Sequence, residues 1–154
     1  VGGMLALAGL CSGIVQAVLV GRIVQRLGER RTLLLGLAFG ATGFAVYGFA
    51  AAGWVFLAAL PISALWGLAT PATQSLITRQ VSADSQGRVQ GALMSLVSLV
   101  GIFAPLMFAS TFGLFISDHA PAHLPGAPWL LAGAWLLVGF AVAYRYARAP
   151  VAPP

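Results

Sequence analysis

Residues 32–78 read TLLLGLAFGATGFAVYGFAAAGWVFLAALPISALWGLATPATQSLIT, and between Arg31 and Arg79 this run carries no charged side chain. A helix rises about 1.5 Å per residue, so roughly 20 apolar residues cross a hydrocarbon core of about 30 Å. The run is long enough for two crossings. Ala51-Ala52-Gly53-Trp54 supplies the break between them, with one span expected near 32–50 and the next near 54–77.

Three more apolar stretches flank this pair: about 1–21, about 89–115 and about 128–146. Of the 154 residues, 60% are hydrophobic and 7% charged, and the mean hydropathy is +0.95. A soluble domain carries about 25% charged residues, and a disordered chain needs low hydrophobicity. Both are excluded, and the fold class expected is an all-α integral membrane protein with five transmembrane helices. Cys11 is the only cysteine, so there is no intrachain disulfide and no cysteine metal cluster. No zinc spacing, P-loop or dinucleotide fingerprint is present.

All eight basic residues are arginines, and they alternate sharply along the chain. Arg22, Arg26, Arg30 and Arg31 follow the first span, Arg79 and Arg88 the third, and Arg145 and Arg148 the fifth. The second connection has no charge, and the fourth holds Asp118, His119 and His123. The positive-inside rule places the arginine side in the cytoplasm, with the N-terminus outside and residues 149–154 as a cytoplasmic tail. The net charge of +5 therefore reports orientation in a lipid bilayer and not a nucleic-acid partner. The chain opens at Val1 inside an apolar segment without a basic leader, which is not a signal peptide. An outside N-terminus predicts at least one span before it, so a truncated bundle is expected.

The 19 glycines suit close helix packing in lipid. Gly36, Gly40 and Gly43 share one helical stripe and Gly9 and Gly13 another, both expected as packing seams. The connection after the first span reads Gly21-Arg22-Ile23-Val24-Gln25-Arg26-Leu27-Gly28-Glu29-Arg30-Arg31. Gly21 would allow close helix approach and Gly28 a tight reversal, with the basic cluster held at the membrane face.

This connection resembles the Gly-x-x-x-Asp-Arg-x-Gly-x-Arg-Arg signature of the major facilitator superfamily. Gly21, Arg26, Gly28, Arg30 and Arg31 match, while Gln25 stands at the Asp position. Such degeneracy resembles the family's second copy, between helices eight and nine. The resemblance implies that the five spans are helices eight to twelve of the C-terminal six-helix bundle, with the N-terminal half missing. Gly67-Leu68-Ala69-Thr70-Pro71-Ala72-Thr73-Gln74, Gln86-Gly87-Arg88-Val89-Gln90-Gly91 and Ala104-Pro105-Leu106 are similar to elements of tetracycline efflux drug:proton antiporters. So is Gln16-Ala17 before Gly21-Arg22. Two departures stand out. Gly40 occupies a position where several of those exporters carry Asp, and Ala104 replaces the glycine before proline.

Coupled transport needs a group within the membrane that changes protonation. None of the five spans holds Asp, Glu, Lys or a mid-membrane His, so a coupling proton would bind outside this chain. No other cofactor and no metal is expected. Pro121 and Pro125 prevent the regular helix that would align His119 with His123, so that loop reads as a solvated tip. Trp54 and Trp129 read as interfacial anchors.

The polar residues left for a small-molecule substrate are neutral. Ser12 and Gln16 are one turn apart on the first span, Thr70 and Gln74 on the third near Trp66, and Ser95 and Ser98 pair on the fourth. Hydroxyls can bond their own helix carbonyls, which favours packing for Ser and Thr. A glutamine cannot satisfy its amide locally, so Gln16 and Gln74 point to a wet cavity. The second and fifth spans show no polar stripe and are expected to face lipid.

The resemblance implies part of a secondary transporter of the bacterial inner membrane, exporting tetracycline-like or other drug-like molecules. A major facilitator transporter of a different solute, or a non-transporting scaffold or channel subunit, are the alternatives. A membrane hydrolase needs a nucleophile with a base in reach. No span supplies one, so an enzyme is not expected.

Overall fold

The computed structural model describes residues 2–14, 16, 18, 20–117, 120 and 123–147, and its regular elements are helices. They are α1 (Gly2–Ile14), α2 (Val20–Leu27), α3 (Glu29–Phe49), α4 (Gly53–Ala64), a 3-10 turn (Leu65–Leu68), α5 (Ala69–Gln80), α6 (Ala83–Ile116) and α7 (Ala127–Tyr146). Among the described residues, four crossings are long and apolar enough to span a bilayer: Glu29–Phe49, Gly53–Gln80, Asp84–Ile116 and Ala127–Tyr146. They correspond to the last four expected spans, with ends shifted by a few residues.

The first expected span, about 1–21, is not one regular helix. α1 stops at Ile14, and Gln16 and Val18 sit in π-wound turns before α2 begins at Val20. A π turn adds a residue to the i→i+4 ladder, which interrupts the regular hydrogen-bond row. Val1, Val15, Ala17 and Leu19 lie outside the described residues. So do Asp118, His119 and residues 148–154, and with them Arg148, the tail and most of the expected histidine loop.

Gly28 makes the turn from α2 into α3. Its φ of 76° lies in the left-handed region, where a side chain would be strained. Its carbonyl accepts from both the backbone N–H and the hydroxyl of Thr32, the latter at 2.8 Å, and Thr32 is fully buried. The expected reversal at Gly28 is therefore present. Gly21, by contrast, faces open space and brings no helix close.

α3 is the hub of the bundle. Its buried residues are Thr32, Leu33, Gly36, Gly40, Ala41, Gly43, Tyr47 and Gly48. A Cβ on Gly36 would meet the Ala69 backbone nitrogen at 2.7 Å, one on Gly40 the Trp66 ring at 2.9 Å, and one on Gly43 the Ser63 Cα at 2.9 Å. Antiparallel helices account for the pairing of 36 with 69, 40 with 66 and 43 with 63. The 3-10 turn matters here, because three residues per turn bring 63, 66 and 69 into one row. Pro71 explains the turn. It has no N–H for the Gly67 carbonyl and its ring crowds that oxygen. The helix tightens instead, and the Ala69 N–H donates to the Trp66 carbonyl.

The expected seam at Gly36, Gly40 and Gly43 is thus a close helix contact. The other expected seam is not, since Gly9 and Gly13 meet nothing within 4 Å. The second and fifth spans, expected to face lipid, are each exposed on one side and packed on the other. Leu35, Phe39, Thr42 and Phe49 of α3 are exposed, but its opposite side packs on α4, α5 and α7. α7 is exposed at Trp135, Val138 and Val142, while Gly133 lies against the Ala41 carbonyl of α3. Small residues at the crossing, and not polarity, select these neighbours.

Away from the arginine-bearing end, Gly48 of α3 and Gly126 before α7 press together so closely that neither has room for a Cβ. An aromatic cluster fills the adjacent space. Tyr47 stacks on Phe56 with centroids 4.0 Å apart and meets Trp129 edge-on at 5.2 Å, and its hydroxyl bonds that of Ser63. α6 differs from the rest. Its 34 residues are about 51 Å long, no described residue in it is buried, and its main neighbour is α7.

Candidate functional site

The 3-10 turn within the Gly53–Gln80 crossing lies among the neutral polar residues. Gly67 sits inside the 3-10 turn, and the Gln16 side chain lies beside it. Gln16 Cγ and Nε2 come within 3.9 and 4.0 Å of where a Gly67 Cβ would stand. A Cβ there would meet the amide only in ordinary van der Waals contact. Thr70 and Gln74 follow along the same crossing, Thr70 exposed and Gln74 half-buried. The hydroxyls of Thr73 and Thr78 donate to carbonyls of their own helix, at 2.8 Å to Ala69 and 2.9 Å to Gln74. Neither the Gln16 nor the Gln74 amide forms a hydrogen bond among the described residues, so both can take an outside partner. Ser12 is half-buried on α1, one turn before the π-wound stretch.

Three of the expected substrate residues are not brought to this place. Trp66 turns the other way. Its ring packs against Gly40 and meets Phe44 edge-on at 5.4 Å, joining the aromatic cluster. The 3-10 turn puts Trp66 in a row with Ser63 and Ala69 that faces α3. Ser95 and Ser98 lie exposed on α6, whose main neighbour is α7. Ser95 is satisfied by its own helix, donating to the Gly91 carbonyl at 3.0 Å.

The signature connection divides its charges between two tasks. Glu29, in the first turn of α3, forms an ion pair with Arg79 at the end of α5, 2.8 Å apart, and accepts from the Ser75 hydroxyl at 3.3 Å. Arg30 reaches the end of α7, donating to the Tyr144 carbonyl at 2.8 Å, with its guanidinium carbon 5.7 Å from the Tyr144 ring centre. A cation there meets the negative end of the α7 dipole. Arg22, Arg26 and Arg31 are exposed, and so is Gln25 at the Asp position of the signature. Glu29 and Arg30 thus tie three crossings together at one end. Charge alone did not reveal these ties, because the partners are 46 to 114 residues away in sequence.

Sequence reasoning also missed an open apolar groove of about 860 Å³ between α6 and α7, floored by Phe44 and Trp66. Phe103 and Met107 of α6 face Trp129 and Trp135 of α7 across it. Among the described residues, no charged or amide side chain lines this groove. An oxygen-rich substrate would find no convergent polar partners there, which a ligand site normally provides. The aromatic spacing on α7 was the one available signal.

The Major Facilitator Superfamily model matches residues 1–105. The class G tetracycline resistance protein of Vibrio anguillarum is 42% identical, covering 73% of this chain and 28% of that protein. The class B tetracycline resistance protein of Escherichia coli is 32% identical over 99% of this chain and 37% of its own length. Hippocampus abundant transcript-like protein 1 of Rattus norvegicus is also 32% identical, over 90% of this chain and 30% of its own length. The chain spans about a third of the length of these relatives. No solved structure matches it. A helical membrane bundle, the arginine-rich connection with Gly28 at its turn, and a family match over most of the sequence lead to one conclusion: the chain belongs to the major facilitator superfamily.

Proposed function

We propose that this chain forms part of a secondary active transporter that exports tetracycline-like or other drug-like molecules, coupled to protons. The relatives named as tetracycline resistance proteins support the substrate class. One geometric observation carries the site. The Gln16 amide stands beside Gly67 in the 3-10 turn of the Gly53–Gln80 crossing, on the stretch that continues to Thr70 and Gln74, and neither glutamine amide has a described partner. An amide both donates and accepts, which suits a neutral or zwitterionic polycyclic substrate rich in oxygens. Glu29 and Asp84 lie at the ends of their crossings and the stretches between hold no carboxylate, so this reading puts the coupling proton in the remainder of the complete protein.

Gln74 is the test. Losing one hydrogen bond to a ligand costs about 0.5–1.5 kcal/mol, or roughly two- to tenfold. Gln74→Ala in the complete protein should lower tetracycline resistance by that factor at unchanged membrane abundance. A fall in abundance by the same factor as resistance would make Gln74 a packing residue. The second reading is a major facilitator transporter for another small solute, since one similar relative, hippocampus abundant transcript-like protein 1, is not named for tetracycline. Tetracycline accumulation unchanged by expression of the complete protein would select it.

The arginine-bearing end faces the cytoplasm in this reading. Single cysteines Arg26→Cys and His123→Cys in a Cys11→Ser background report it, since both native side chains are exposed. An impermeant thiol reagent outside intact cells should label the cysteine at 123 and spare the one at 26. The opposite pattern reverses the orientation.

A further inference from the structure

Gly67 is a glycine that neither packing nor backbone geometry within this chain requires. Its φ is not in the left-handed region, where among the described residues only Gly28 stands. Gly36, Gly40 and Gly43 of α3 have no room for a Cβ, whereas one on Gly67 would clash with nothing. A glycine weakens a helical turn relative to alanine, and no close helix contact offsets that loss at Gly67. Glycine also serves where a ligand must come close to the backbone.

Two polar groups meet at this bare turn. Pro71 has no N–H, so the Gly67 carbonyl lacks its α-helical donor and keeps acceptor capacity. The Gln16 amide lies alongside, with Nε2 4.0 Å from where a Gly67 Cβ would stand. Among the described glycines, Gly67 is the one whose nearest neighbour is an amide side chain. Gln16 is exposed and Gly67 half-buried, so the pair borders open space. Without a Cβ the turn presents a flat surface. A flat fused ring can lie on it with a hydroxyl or carbonyl edge at the amide, and a branched side chain would stand in that place.

We infer that Gly67 is a specificity-determining residue, whose missing side chain leaves room for the flat, oxygen-bearing edge of a polycyclic substrate between the Gly67 backbone and the Gln16 amide. The inference rests on the proposed export of such molecules. The test uses the complete protein in inverted membrane vesicles, with tetracycline as the probe. Gly67→Leu should raise the KM for tetracycline uptake roughly two- to tenfold, the loss of one hydrogen bond, at unchanged Vmax and membrane abundance. Gln16→Ala alone should do the same, yet add nothing to Gly67→Leu, because both remove one contact. Additive effects, or a fall in Vmax and abundance at constant KM, would overturn the inference. Gly67→Cys in a Cys11→Ser background separates it from the reading beneath. A small water-borne thiol reagent should reach that cysteine, and tetracycline should slow the labelling. No labelling would mean that another part of the complete protein fills the space, and labelling that tetracycline leaves unchanged in a transporting protein would mean that the substrate passes elsewhere. Either result sinks the assignment. Labelling in a protein that does not transport tetracycline would leave the open subsite standing and remove the proposed substrate.

Discussion

α3 and α6 are both apolar helices long enough to cross a bilayer, yet the structure treats them in opposite ways. α6 has the higher mean hydropathy, 2.2 against 1.6, and no described buried residue, while α3 is the most buried crossing of the four. Apolarity therefore does not select the centre of this bundle. In lipid, apolar surface gains nothing by leaving its surroundings for another helix, so close packing and hydrogen bonding decide the neighbours. α3 has both, through glycines at 36, 40 and 43 and the ties from Glu29 and Arg30. Within this chain α6 has neither of comparable extent, and its glycines face open space.

The contrast can be broken at the glycines. Gly36→Ala in the complete protein drives a methyl into the Ala69 backbone, an overpacking that costs about 1–3 kcal/mol. A better helix former returns only about 0.5–1 kcal/mol. Gly101→Ala on α6 meets nothing and should be neutral or slightly stabilising. Thermal loss of the folded protein in detergent measures both. Equal losses would show that the Gly101 side of α6 is packed against a helix beyond this chain, and the difference between the two crossings would vanish.

A smaller effect sharpens the comparison at the arginine-bearing end. Arg30→Ala removes a charge-assisted bond to the end of α7 and should cost about 1 kcal/mol, since the bond is partly open to water. Glu29→Gln keeps the Ser75 contact, weakens the pair with the exposed Arg79, and should cost under about 1 kcal/mol. Raised salt should narrow the gap between the Glu29→Gln protein and the parent. No effect of either substitution on melting would mean that the glycine seam alone makes α3 the hub.

The long uncharged run between Arg31 and Arg79 dictated two of the crossings, and hydropathy placed the others to within a few residues. The turn at Gly28 was equally legible, because one position between two helices needed a positive φ. These features are local. Crossing length follows from the thickness of the hydrocarbon core, and turn geometry from steric limits on a single residue. The Gly36-Gly40-Gly43 stripe announced a seam but not its partner. Its twin at Gly9 and Gly13 looked equivalent in sequence and remains open within this chain.

What only the tertiary structure decided concerns relations between distant segments. Trp66, which α-helical spacing grouped with the glutamines, packs on Gly40 and Phe44 and lines an apolar groove. The pairing of Arg30 with Tyr144, and of Glu29 with Arg79, depended on which helix ends meet. Sequence by itself determined that the chain carries apolar helices able to cross a membrane, where four of them run and which residues are free of charge. The fold decided which faces touch, because in lipid that choice rests on the fit of surfaces and not on their hydrophobicity.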